Sequence, residues 1–268
     1  MKKSITVLLT AAVLLLSLTG TAEAASSRDT SGRLVVGATP VPHAELLNLV
    51  KDDLAAQGIT LTVREFTDYV TPNTALIAGD LDANYFQHIP YLGSNEEWEA
   101  KLASAFGVHV EPLGLYSNRL KNAGELKDGA SVAIPNDPTN GGRALLLLQS
   151  AGIIGLKPGA GLTATPQDIA VNPKNLRFRE LEAAQLPRSL GDVDAAVING
   201  NYALEAGLNP VRDSLVLEGA DSPYVNIVVV QKGKENDPRI LALSQALRSQ
   251  KVKDYINKTW AGSVVAVF

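Results

Sequence analysis

The chain of 268 residues contains no cysteine. That absence removes disulfides, thiolate nucleophiles and cysteine-ligated zinc from consideration. It is neutral about compartment, because an exported protein of this size folds without disulfides. Charge of one sign is also lacking. The formal net charge is −4 with no run of five like charges, so nucleic acid, which needs a basic patch, is not an expected partner. The three histidines, His43, His88 and His109, lack the His-x-x-x-His spacing of a metal-binding helix, and neither a metal nor a cofactor is expected. There is no Gly-x-Ser-x-Gly elbow of a serine hydrolase. Carboxylate pairs for glycoside chemistry need no fixed spacing and stay open. Aromatic residues are scarce too, at 5% of the chain. Yet the stretch DANYFQHIPYL gathers Tyr85, Phe86, His88 and Tyr91 beside a proline.

What is present begins with an export signal. MKK supplies a charged start, Ile5 to Leu18 is apolar, and Ala22-Glu23-Ala24 offers small residues at the two positions a signal peptidase reads. Residues 1–24 are the expected signal peptide. The apolar run is short for a membrane span and no stop-transfer charge follows it.

Strand-like and helix-like stretches then alternate. Arg33–Gly37, Ile59–Phe66, Leu81–Phe86, Ser131–Ile134, Ala195–Ile198 and Val225–Val230 read as strands. Leu46, Leu47, Val50 and Leu54 follow Pro42 at helical spacing, ended by Gly58. Further helices are expected over Thr71–Ala78, Glu96–Phe106, Gly142–Ala151 and Ile240–Trp260. The alternation predicts an α/β fold with largely parallel sheets. Extended crossings near Val110–Tyr116 and Ser222–Val230 divide the chain into two lobes; one continuous doubly wound sheet is the alternative.

The chemistry-bearing stretches lie at strand ends or enter helices, where open α/β sheets bind ligands. In Ile134-Pro-Asn-Asp-Pro-Thr-Asn-Gly-Gly-Arg143, Thr139 or Asn140 serves as helix N-cap and Gly141 and Gly142 let a ligand approach the backbone. Arg143 in the first turn can grip a carboxylate with two hydrogen bonds. Asn199 ends a strand, where an asparagine is more often a turn residue than a ligand contact. Asn226 interrupts a β-branched run, where asparagine is uncommon; if buried it needs partners for both ends of its amide.

Together these residues resemble one family, the methionine-binding proteins of ABC importers (the NlpA/MetQ lipoprotein family). The matching stretches are DYVTPN at 68–73, GDLDANYFQHIPYL at 79–92, VAIPNDPTNGGRALLLLQ at 132–149, NPKNLRFRELEAAQLPRSL at 172–190, AVIN at 196–199 and DSPYVN at 221–226. The resemblance implies a two-lobed periplasmic-binding-protein fold: two α/β domains joined by two crossing strands, with the ligand in the cleft between them. The lobes are expected at 33–112 with 228–268, and at 113–227. By the same resemblance Tyr69, Phe86, His88 and Tyr91 wall a pocket for the methionine side chain. Arg143 holds the carboxylate, and Asn199 and Asn226 bind the amino and carboxylate groups. Asn140 and Tyr224 are additional ligand-binding candidates, while Tyr85 packs.

A thioether suits aromatic walls because it is apolar and polarizable. The implied partners are methionine, L or D, and an ABC permease with its ATPase subunits, with the protein a monomer and not an enzyme. A methionyl dipeptide, another apolar amino acid, or an exported hydrolase are the rival readings. One departure bears on location. The family is usually lipid-anchored through a cysteine after Leu-x-Gly, and here Leu18-Thr19-Gly20 is followed by Thr21. The expected product is periplasmic or at the cell surface, without that anchor.

Overall fold

The computed structural model describes residues 32–219 and 222–268. The expected signal peptide and Thr21 lie outside the described residues. Strand β1 (Arg33–Ala38) leads through a turn at Pro40–Ala44 into α1 (Glu45–Leu49) and α2 (Lys51–Ala55). Then come β2 (Thr60–Glu65), α3 (Thr71–Ile77), β3 (Ala83–His88), α4 (Ile89–Leu92), α5 (Glu96–Lys101) and β4 (Leu102–Val110). The next stretch carries β5 (Gly114–Tyr116), β6 (Ser131–Pro135), α6 (Pro138–Ser150), and a small ribbon of β7 (Gly155–Leu156) and β8 (Ile169–Val171). It continues with β9 (Arg177–Leu181), α7 (Leu186–Ser189), β10 (Ala195–Ile198), α8 (Gly200–Glu205), α9 (Pro210–Asp213) and β11 (Val216–Leu217). The chain closes with β12 (Val225–Gln231), α10 (Pro238–Leu247), α11 (Gln250–Trp260) and β13 (Val265–Ala266).

Two sheets carry two lobes. The first has the order β13-β4-β12-β3-β1-β2 and the second β11-β5-β10-β6-β9. β1 runs parallel to β2 and β3, and β6 runs parallel to β9 and β10. The buried, near-continuous apolar runs of β1, β6 and β10 are what strands covered on both faces require. Each sheet is flanked by two apolar clusters, one per face. The chain passes between the sheets twice, from Val110 to Gly114 and from Leu217 to Val225. β12 lies whole in the first sheet, since Val225 already pairs with Val110. Among the described residues no helix is long and apolar enough to cross a membrane.

Both sheets are mixed and not largely parallel as expected, because β12 runs antiparallel to β3 and β4, and β5 antiparallel to β10 and β11. Three further expectations need correction. The helix expected over Glu96–Phe106 stops at Lys101, and Leu102 onward forms β4, paired along its length with β12. A β-branched partner strand outweighs the helical preference of the Leu-Ala-Ser-Ala segment. The helix expected over Ile240–Trp260 is two helices, because Ser249 turns extended and accepts the Val252 N–H as a new N-cap. The N-cap of α6 is neither Thr139 nor Asn140 but Asp137, whose Oδ1 accepts the Asn140 N–H at 2.9 Å ahead of Pro138.

Candidate functional site

The DYVTPN segment begins as a tight turn. Asp68 Oδ1 accepts the N–H groups of Val70 and Thr71, both at 2.7 Å, which starts α3 and leaves Tyr69 at its mouth. A buried amide cluster then ties α3 to β3: Asn73 Nδ2 donates to Gln87 Oε1 at 3.0 Å, and Asn84 Nδ2 donates to Asn73 Oδ1 at 2.8 Å. At the end of β3, His88 caps α4, its Nδ1 accepting the Tyr91 N–H at 3.1 Å. The aromatic wall follows from these anchors. The Tyr69 ring lies 5.9 Å from Phe86 and 5.8 Å from Tyr91, and Tyr91 Oη donates to the Tyr69 carbonyl at 3.0 Å. Tyr85 turns into a different core cluster, as expected of a packing residue.

The second lobe presents the polar wall. Asn140 Nδ2 is held by Asp137, and its Oδ1 accepts from Asn199 Nδ2 at 2.9 Å and from His88 Nε2 at 3.3 Å across the cleft. Arg143 is 4% exposed. Its guanidinium is not free: Glu218 takes Nε at 2.9 Å and one Nη2 proton, and Nη2 also donates to the Glu111 carbonyl at 2.9 Å. Its Cζ lies 4.2 Å over the Tyr224 ring. Nη1 makes no hydrogen bond among the described residues, so this corner of the fork is available to a ligand oxygen. The glycines before it play another part than expected. A Cβ on Gly142 would come within 2.2 Å of the Leu162 carbonyl oxygen, and one on Gly141 within 2.9 Å of the Pro135 oxygen. Both admit the protein's own backbone, and a ligand is not what crowds them.

Tyr69, Phe86, His88, Tyr91, Asn140, Arg143, Asn199 and Asn226 line one cavity of about 330 Å³, its mouth included. Tyr224 backs it, lying under the Arg143 guanidinium and meeting the His88 ring edge-on at an interplanar angle of 66° with centroids 5.0 Å apart. Glu111, Asn201, Gln87 and Gly200 also line the cavity, and sequence reasoning named none of them. Asn201 Oδ1 accepts from Tyr69 Oη at 2.5 Å, a direct tie between the lobes. Glu111 sits in the crossing after β4, a lone acid in an apolar extended run. Like Asn226, it is a polar residue out of place in such a run and, being buried, it needs partners.

Three side-chain atoms at this site are buried and unpartnered among the described residues: Asn199 Oδ1, an acceptor; Asn201 Nδ2, a donor; and the Tyr224 hydroxyl. Such atoms are costly unless something else satisfies them. His88 is neutral, its pKa pushed down to about 3 by burial and by the Arg143 charge. Burial raises the Glu111 carboxyl above its usual range, against the opposing pull of His43, Arg143 and the Asn201 backbone N–H. His43, His109 and Glu111 bring one possible metal-ligand atom each within 4.8 Å of one another. His109 Nε2 already hydrogen-bonds Glu111 and His43 Nε2 hydrogen-bonds Asn226, and among the described residues no unpartnered atom there calls for an ion.

Comparison with known proteins gives a consistent picture. The NlpA lipoprotein family profile matches residues 34–268. The chain is 47% identical over 211 residues to the D-methionine-binding lipoprotein MetQ of Salmonella typhimurium, covering 78% of each chain. It is 44% identical over 232 residues to the membrane lipoprotein TpN32 of Treponema pallidum, covering 86% of this chain and 87% of that one. A nutrient-binding protein from Burkholderia cenocepacia, solved bound to methionine, superimposes with a TM-score of 0.85 at 48% identity, covering 88% of this chain and all of that one.

Proposed function

The chain belongs to the NlpA lipoprotein family, and from that membership and the chemistry of its cleft we propose that it is the substrate-binding protein of an ABC importer for methionine. The observation that carries this reading is the set of unpartnered buried atoms beside an aromatic wall. A free amino acid brings both a donor, its ammonium, and an acceptor, its carboxylate. Arg143 Nη1 and the Asn226 amide take the carboxylate. Asn199 Oδ1, with the Glu111 carboxylate, takes the ammonium, and Asn201 and Asn140 complete the polar shell. Phe86, Tyr69, Tyr91 and the neutral His88 ring enclose the thioether. Tyr224 holds Arg143 flat.

The lobes, expected at 33–112 with 228–268 and at 113–227, close over the ligand about the two crossings, with the second boundary moved back to before Val225 because Val225 already pairs with Val110. The protein is exported, acts by capture and delivery to a permease without covalent change, and works as a monomer. With no cysteine to carry a thioether-linked lipid, it is released without that anchor. Intact mass of the product from an exporting host tests the last point, and turnover assays on ester, peptide and glycoside substrates test the absence of catalysis.

Calorimetric titration with L-methionine, D-methionine, a methionyl dipeptide and leucine tests the central reading. At least one methionine enantiomer binds, and leucine, lacking the sulfur, binds more weakly. Protein that binds none of them overturns the proposal.

A further inference from the structure

Beneath the pocket floor lies a polar layer to which the binding account gives no role. His43 and His109 are 1% and 0% exposed, with ring centroids 5.1 Å apart. Both aim Nε2 at one atom: Glu111 Oε1 lies 3.2 Å from His43 Nε2 and 2.7 Å from His109 Nε2. His43 Nε2 is also 3.0 Å from Asn226 Oδ1. A carboxylate and an amide oxygen can only accept, so each Nε2 carries a proton. Each Nδ1 then has a lone pair to fill, and each meets a hydroxyl. Thr39 Oγ1 donates to His43 Nδ1 at 2.7 Å, and Tyr85 Oη donates to His109 Nδ1 at 2.5 Å. One hydroxyl–imidazole chain therefore ends in a hydrogen bond to Glu111 and the other in a hydrogen bond to Asn226, with His43 Nε2 also 3.2 Å from the Glu111 carboxylate. Gly200 makes room for this: a Cβ there would approach Glu111 Cβ to 2.7 Å.

We propose that Thr39–His43 and Tyr85–His109 are two positioning relays that keep Glu111 ionised and turn the Asn226 amide so that its Nδ2 end faces the ligand, which makes the site select amino acids with a free ammonium group. The inference rests on the reading of the cleft as an amino-acid site. The groups facing Glu111 are His43, His109, Arg143, the Tyr69 ring and the Asn201 backbone N–H, with Tyr85 behind His109 and Glu218 behind Arg143. Burial alone drives a carboxyl toward its neutral form, and the two imidazole N–H donors oppose that. Removing one donor pushes the Glu111 carboxyl further toward its neutral form, so that it takes up a proton more readily and withdraws its charge from the ligand's ammonium.

The test is the affinity for L-methionine measured by calorimetry from about pH 5.5 to about pH 8, over which the proposal expects the parent's affinity to stay flat. His109→Leu loses about tenfold or more at the acid end, the worth of a hydrogen bond to a charged group, and regains affinity as pH rises. His109→Gln, whose amide N–H takes the place of Nε2–H, recovers most of the loss and the flat profile. Should His109→Leu fail to fold, Tyr85→Phe, which frees the His109 tautomer, shows the same sign of pH dependence with a smaller amplitude. A pH-flat loss in the folded variant, or His109→Gln no better than His109→Leu, overturns the relays and leaves the methionine reading standing. A parent that binds no form of methionine sinks that reading itself, and the relays with it.

Discussion

Two buried polar regions lie side by side at the cleft, and they differ in how far they are satisfied. In the layer of Thr39, His43, Tyr85, His109 and Glu111, every hydroxyl and ring nitrogen has a protein partner. In the cavity above it, Asn199 Oδ1, Asn201 Nδ2 and the Tyr224 hydroxyl have none among the described residues, and Arg143 is held on two sides only. Glu111 and Asn226 belong to both regions. A closed network fixes geometry, because each member's protonation is dictated by its neighbour. An open one leaves donors and acceptors in reserve, and their chemistry describes what they await. The contrast locates the binding surface more sharply than the cavity's size does.

Acid breaks the satisfied region first and with the largest effect. Burial lowers the pKa of His43 to about 4 and of His109 to about 3, while in the unfolded chain both titrate near 6.5. Between those values the unfolded chain holds more protons on the two histidines, so their contribution to stability falls as pH drops below about 6.5, by up to about 1.4 kcal/mol per unit for each while it stays neutral in the fold, and the raised Glu111 carboxyl offsets part of it. The melting temperature, which moves roughly 2–4 °C per kcal/mol in a chain of this size, should decline between pH 7 and pH 5. A melting curve that does not move over that range contradicts the neutral, closed network.

Arg143→Ala opens the other region. It removes the ligand's fork and leaves Glu218, with 17% of its side chain exposed, without its cation. Truncating one partner of a buried charged pair costs about 2–5 kcal/mol in affinity, and calorimetry should record a loss of about thirtyfold or more. Asn226→Ala comes next, at about 1.5–3 kcal/mol, or roughly ten- to several-hundredfold, with melting less affected because the Glu111 carboxylate still lies 3.2 Å from the His43 Nε2 left without its amide partner. If both variants fold and bind as the parent does, the polar assignments are wrong. Phe86→Leu is the mildest. It keeps an apolar wall and loses ring contact worth about 0.3–1.5 kcal/mol, so competition binding should show modest weakening and a relaxed preference for methionine over leucine.

The inner strands of both sheets and the polar wall were legible in the sequence because they rest on local pattern. β1, β6 and β10 are apolar runs between turn residues, and Asn226 is conspicuous inside a β-branched strand. What escaped depends on pairing across distance. Residues from Leu102 read as helix until β12 recruits them into β4. Arg143 read as a free fork because Glu218, 75 residues away, carries no local signal of that partnership. The glycines before Arg143 read as ligand space, whereas Leu162 and Pro135 occupy their surroundings. The two relays were invisible for the same reason, since His43, Tyr85, His109 and Asn226 come from four separate segments.

Diffraction from crystals grown with methionine tests the central claim most directly. The account predicts the ligand in the cavity between the lobes, its carboxylate within hydrogen-bond distance of Arg143 Nη1 and Asn226 Nδ2. Its ammonium meets Asn199 Oδ1 and the Glu111 carboxylate, and its sulfur lies among Phe86, Tyr69 and Tyr91. A ligand bound elsewhere, or one seated here with Asn199 Oδ1 and Asn201 Nδ2 still unpartnered, contradicts it.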